Sequence, residues 1–192
     1  TRPPPPAVRH TAVDIALVEP DGGQTWLPEI DQIGVVRGSY AFTSADNAAI
    51  AAGNVHLRKR GRTTRLTGGT LRDRGFVWPY DVENPLFPVV PLPGMMLIEP
   101  HPLEAPAVGE ARFSQRGDSG SAIVDVHNRV VGVLVGAYSD DDMHGWTVAF
   151  PIDRVLTKLN SFDPGSGAVA FEVSSSDHSG DTRTFPSASA AE

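Results

Sequence analysis

Cysteine is absent from this 192-residue chain, so no disulfide can staple it and no thiolate can hold a metal. That absence fits a reducing, intracellular compartment without requiring one. No apolar run approaches the roughly 18 residues that a membrane-spanning helix needs, so no membrane partner is expected. Positive charge is also short: 16 Lys and Arg against 23 Asp and Glu leave a net charge of -7, which argues against general affinity for nucleic acid. Internal repeats, glycine-rich phosphate loops and zinc-ligand spacings are all missing. The opening TRPPPPAV has neither the apolar core nor the cleavage site of a signal peptide. Because it starts on Thr1 rather than methionine, a segment ahead of it is expected to have been removed or left unrecorded.

What is present is turn-rich and valine-rich. Hydrophobic residues at 40% and charged residues at 20% suit a soluble globular protein long enough for one sizeable core. The 19 glycines and 17 prolines, set between short apolar runs, predict an all-β barrel or sandwich. Candidate strands cover residues 12–19, 33–37, 55–59, 69–71, 95–98, 121–126, 130–135 and 147–150. In one predicted hairpin Gly61 supplies the turn conformation. In another, His127, Asn128 and Arg129 form the turn, with Asn128 suited to positive φ. Pro85, Pro88, Pro91 and Pro93 predict a segment that is mostly loop. Ile152, Val155, Leu156 and Leu159 share one helical face after Pro151, which suits a first turn. After Phe162 the chain turns rich in Ser, Gly and Ala and reads as a disordered tail.

The pentapeptide Gly117-Asp118-Ser119-Gly120-Ser121 carries chemistry. Its glycines permit a sharp turn that exposes the Ser119 hydroxyl, and the amides of Gly117 and Ser119 can face a developing oxyanion. A chance occurrence in a chain of this length is expected on the order of once in ten thousand.

With that motif three further landmarks occur in order and a closing segment follows, and together they resemble the C-terminal part of a chymotrypsin-fold (trypsin-like) serine protease. The run from Val13 to Leu17, containing Asp14, looks like the strand of the catalytic aspartate. Residues 59–69, KRGRTTRLTGG, are similar to a second-barrel hairpin of bacterial and fungal members, with Arg65 where glycine is commoner. Residues 130–137 look like the strand that lines the S1 pocket and pairs with substrate backbone. The segment 146–159 resembles the last strand and C-terminal helix. The resemblance implies a chymotrypsin-like antiparallel β-barrel: a Pro-rich segment at 1–11, the last strand of an incomplete first barrel at 12–20, a complete second barrel with its helix at 21–162, and a tail at 163–192. It implies a serine endopeptidase acting on polypeptide through an acyl-enzyme, with Ser119 as nucleophile and Asp14 orienting a histidine. Gly117 and Ser119 would form the oxyanion hole, and Phe113, Val135, Gly136, Ala137 and Thr147 the substrate pocket. No cofactor or metal is required. An apolar Phe113 at the pocket floor argues for an uncharged P1 residue.

The general base is not among these landmarks. Asp14 precedes Ser119 by 105 positions, near the roughly ninety to one hundred of the chymotrypsin order, in which histidine comes roughly 45 residues before aspartate. That position falls ahead of Thr1. His10 lies four residues from Asp14, about 13 Å in an extended strand. His56, His101, His127, His144 and His178 read as ordinary hairpin, loop, turn and tail residues. The chain is therefore expected to be a fragment whose missing barrel supplies the histidine and is a candidate partner. Alone it should be nearly inactive, down on the order of a millionfold, or about 8 kcal/mol. The alternative from another class is a protease-like barrel that binds peptide or protein by strand addition without catalysis. Arg58, Lys59, Arg60, Arg62, Arg65, Arg72 and Arg74 read as a solvated face of a hairpin rather than a nucleic-acid patch, and Asp140 to Asp142 with His144 as an acidic surface turn.

Overall fold

A computed structural model describes residues 27–80, 90–101, 112–138, 143, 145–161 and 173. Asp14, His10, the 12–20 strand, the acidic turn at 140–142 and the tail at 163–192 apart from Val173 lie outside the described residues. Two short strands, β1 (Glu29–Ile30) and β2 (Gly34–Val35), pair with each other. A single 3-10 turn (Ser44–Asp46) and the short helix α1 (Asn47–Ala51) follow. The main body consists of β3 (His56–Gly61), β4 (Arg65–Tyr80), β5 (Val90–His101), β6 (Ala122–Asp125), β7 (Val130–Tyr138) and β8 (Trp146–Pro151). Helix α2 (Ile152–Asn160) comes directly after β8.

The six long strands close into an antiparallel barrel in the order β3-β4-β5-β8-β7-β6. Strand alternation sorts their apolar residues onto two faces. Leu57, Leu71, Met96, Ile98, Ile123, Leu134 and Ala149 come from all six strands and pack into one buried cluster, the barrel interior. Ile50 of α1 joins that cluster. The outward residues Leu97, Val148 and Phe150 belong to a second cluster, covered by Ile152 and Val155 of α2 and by Ile33 and Val36 of the N-terminal segment. The barrel is thus a sheet apolar on both faces, which is why its strands read as continuous Val- and Ile-rich runs. Two glycines let strands approach: a Cβ on Gly69 would lie 2.6 Å from the Phe113 ring, and one on Gly132 2.8 Å from the Phe150 carbonyl oxygen.

The expected all-β barrel with a short C-terminal helix is what the chain forms, and several local expectations are corrected. The 33–37 strand is only the two residues of β2. Strand β4 runs to Tyr80, well past residue 71, interrupted by register shifts. Pro91 and Pro93 are not loop residues, because β5 already begins at Val90. Here β5 pairs with β4 alone, since β8 joins only at 96–98. Its other edge there makes no ladder among the described residues, so a missing proline N–H costs little. His101 likewise ends β5 rather than sitting in a loop. Gly61 does not adopt positive φ. The left-handed residue of that hairpin is Arg65, at φ 61. In the other hairpin Asn128 does have positive φ, also 61°.

Candidate functional site

Ser119 stands on the loop that leads from Phe113 into β6. Gly117 (φ 100) and Gly120 (φ 86) flank it in the left-handed region, where any other residue would be strained. Ser119 itself is exposed. The loop is tied down at its middle by the residue before the serine. Asp118 is buried at 1% exposure, and its carboxylate accepts from Gln115 N (3.0 Å), Thr63 N (2.7 Å), Thr64 N (3.2 Å) and Thr64 Oγ1 (2.7 Å). It is also paired at 3.4 Å with the ammonium of Lys59, which donates in addition to Thr64 Oγ1 and to the Arg65 carbonyl. Thr63 Oγ1 donates to the Arg116 carbonyl at 3.0 Å. The β3–β4 turn and the serine loop are therefore laced together through one carboxylate.

Burial alone would raise the Asp118 pKa. The hydrogen bonds from Gln115, Thr64 and Thr63 more than offset that and bring it down to about 2. Burial pushes the Lys59 ammonium below its usual value, with the Asp118 charge opposing it. Lys59 has no exposed surface, which corrects its reading as part of a solvated basic face. It shares the inward side of β3 with Leu57 and Gly61. That parity is the sequence signal which could have separated it from Arg58 and Arg60. The same contact explains Gly61: a Cβ there would meet Asp118 Oδ1 at 2.4 Å. A close approach, not a turn, requires glycine at that position.

On its other flank the loop is clamped to β7. Gly120 N donates to the Leu134 carbonyl (2.8 Å) and Leu134 N to the Ser121 carbonyl (3.0 Å). Between Leu134 and Gly136 the pairing of β7 with β8 shifts, because Leu134 faces Ala149 and Gly136 faces Val148. Val135 is the extra residue of this bulge, a device that re-aims backbone groups. Its carbonyl turns toward the serine and accepts from Ser119 Oγ at 2.8 Å. Strand β6 pairs with β7 only as far as Val133. Residues 135–138 thus keep one edge without a strand partner among the described residues.

The amides divide in a telling way. Asp118 N donates to the Gln115 carbonyl and Gly120 N to that of Leu134, whereas the N–H groups of Gly117 and Ser119 find no acceptor among the described residues. Phe113 is wholly buried in the interior cluster; its carbonyl accepts from Thr67 Oγ1 at 2.7 Å and its amide lies 3.4 Å from the Gly145 carbonyl. Thr147 is also buried and shares a 2.7 Å hydroxyl contact with Ser114. The structure therefore gathers Ser119, Gly117 and Val135 at one place, with Gly136 and Ala137 following along the open edge, and sets Phe113 and Thr147 beneath in the packed interior.

No described histidine stands at Ser119. His56 lies five residues from Gly61 along β3, about 16 Å, with its ring 5.8 Å from that of His101. His127 sits in the β6–β7 turn. Three or more His, Asp or Glu placed to hold a metal are not found among the described residues.

No protein-family model matches the sequence, and no curated protein does. Among solved structures the chain is similar to a glutamic-acid-specific serine protease that uses a histidine triad in substrate binding, at 17% identity and a TM-score of 0.48 over 72% of this chain and 60% of that one. It is similar to Cellulomonas bogoriensis chymotrypsin at 19% identity and a TM-score of 0.48, covering 72% and 62%. A Nocardiopsis protease matches at 18% identity and a TM-score of 0.41, covering 65% and 51%. The chain spans about 60% of the length of the first two.

Proposed function

We propose that this chain carries the nucleophile half of a serine endopeptidase of the chymotrypsin-fold, trypsin-like class. One observation supports the reading above the others: an exposed serine between two left-handed glycines, with the amides of Gly117 and Ser119 unclaimed among the described residues while those of Asp118 and Gly120 are bonded. In this reading Ser119 Oγ attacks the scissile carbonyl carbon as its proton passes to a histidine outside the described residues. The two free amides receive the oxyanion. Collapse breaks the C–N bond and expels the amine, which takes the proton from the imidazolium, and water then hydrolyses the acyl-enzyme by the reverse sequence. Asp14 orients the histidine. The substrate backbone pairs with the open edge at 135–138 by strand addition. Val135, Gly136, Ala137 and Thr147 carry no charge, which supports an uncharged P1 side chain.

The Ser119 hydroxyl now rests on the Val135 carbonyl rather than on a base. That contact supports the second reading, a barrel that binds peptide along the same edge without cleaving it. A fluorophosphonate probe separates the two. The chain is tested alone and together with whatever its gene encodes ahead of Thr1. Labelling at Ser119 in the longer protein, absent from its Ser119→Ala variant, is expected. An inert serine in both forms would leave the binding module as the function.

A further inference from the structure

The two flanks of Ser119 differ in charge. One is the neutral open edge of β7. The other is the β3–β4 turn, which carries Arg62 and Arg65 and reaches Arg116 of the serine loop through the bond from Thr63 Oγ1 to the Arg116 carbonyl. All three arginines are exposed, and none of their guanidinium groups has a hydrogen-bond or ion-pair partner among the described residues. Elsewhere on the same hairpin the guanidinium groups are matched: Arg58 with Asn128 Oδ1 (2.7 Å), Arg60 with Asp31 (3.0 Å), Arg72 with Glu99 and Arg74 with Asn47 Oδ1 (2.8 Å). Guanidinium groups without a partner among the described residues thus gather at the turn beside the serine, on a chain whose net charge is -7.

We propose that Arg62, Arg65 and Arg116 form a subsite for acidic side chains of a polypeptide, on the side of the scissile bond away from the β7 edge. That the polypeptide is a substrate rests on the protease reading above. A strand laid on residues 135–138 passes Ser119, and its continuation crosses the loop toward Arg116 and the Thr63 turn. Asp or Glu there meets exposed guanidinium groups suited to carboxylate oxygens. A long polyanion such as RNA is the weaker candidate, since its charge would extend over a net acidic surface.

Binding is measured on the full chain carrying Ser119→Ala, by fluorescence anisotropy. Two peptides are compared, identical except for Glu or Gln on the side of the cleavage point away from β7. The Glu peptide should bind about fivefold tighter, its one carboxylate making up to two exposed ion pairs of modest strength. Most of the difference should vanish at 0.5 M salt, where screening acts within roughly 4 Å. Arg62→Gln, Arg65→Gln and Arg116→Gln together should abolish the preference, and Lys at the three positions should keep part of it. If the Gln variant fails to fold, the salt titration on the unaltered arginines decides instead, and a preference that survives high salt overturns the proposal. Equal binding of both peptides, or of a single-stranded oligonucleotide of matched charge, overturns it as well. Fluorophosphonate labelling reports separately on the protease reading: an inert Ser119 with intact acidic preference removes the catalysis and keeps the subsite, while labelling without preference removes the subsite alone.

Discussion

Replacing Asp118 with asparagine tests whether the serine loop is held by one carboxylate. The two side chains have the same shape, but the amide cannot satisfy the site in either orientation. One carboxylate oxygen faces Thr63 N and Thr64 N, and the other faces Gln115 N, Thr64 Oγ1 and the Lys59 ammonium. Whichever way the amide turns, its NH2 confronts at least two donors, and Lys59 is left buried without a counter-charge. Removing one partner of a buried pair costs about 3–5 kcal/mol, a large share of a domain's stability. The pH dependence adds a second signature. With a folded pKa of about 2 against 3.8, Asp118 contributes roughly 2 kcal/mol that is fully present above pH ~4 and is lost as pH falls through the folded value. Urea denaturation at pH 7 should show the full loss in Asp118→Asn. A pH series from 5 to 2 should show a shallower decline in the variant than in the wild type. A loss under about 1 kcal/mol with an unchanged acid limb would refute the central role given to this residue.

Gly61→Ala should destabilise by about 1–3 kcal/mol in urea, because its Cβ must displace the Asp118 carboxylate from 2.4 Å; an unchanged midpoint would mean the loop shifts freely. Arg65→Gly relieves a left-handed backbone at φ 61, worth about 1–2 kcal/mol, against a glycine entropy cost of about 0.4–1 kcal/mol. A net gain between zero and about 1.6 kcal/mol is expected, and a loss would show that the side chain stabilises the turn. Asn128→Ala gives up that residue's tolerance of positive φ and three bonds, donated to the Ile33 and Val35 carbonyls at 3.2 Å and accepted from Arg58 at 2.7 Å. A cost of about 2–3 kcal/mol corresponds to a melting point roughly 4–12 °C lower, measured by circular dichroism.

The barrel was legible where a strand is apolar on both faces, as in 130–135 and 147–150, because an unbroken run of Val, Leu and Phe admits few other folds. It was illegible where pairing rests on the partner strand. The extension of β4 through Arg72, Asp73 and Arg74 carries charge and has no inward apolar period, yet β5 pairs with it as far as Val90. Helix α1 has five residues, too few for a 3.6-residue period to show. It continues instead from the 3-10 turn Ser44–Asp46, which Thr43 caps: its hydroxyl accepts from Ala45 N while Asp46 accepts from Thr43 N. In the site, Ser119 and its glycines were visible as a motif. The burial of Lys59 was not, since a lysine amid six arginines reads as surface until strand parity is tied to the aspartate it meets.

That division bears on how activity would be assembled. The contacts that hold the stretch from Gln115 to Ser121 come from β3, the β3–β4 turn and β7, so the two amides without an acceptor among the described residues are fixed by the barrel. Proton transfer is the part that these strands do not supply. If Ser119 is a nucleophile, the two functions are energetically separable. A preformed oxyanion site and binding groove without the general base retain a residual acceleration on the order of 10³–10⁴ over water, and restoring the base adds the remainder. Supplying the histidine-bearing segment should then raise turnover by several orders of magnitude while leaving peptide affinity for the 135–138 edge nearly unchanged. A parallel rise in affinity would instead mean that the added segment builds the groove itself, and the free edge of β7 would lose its assignment.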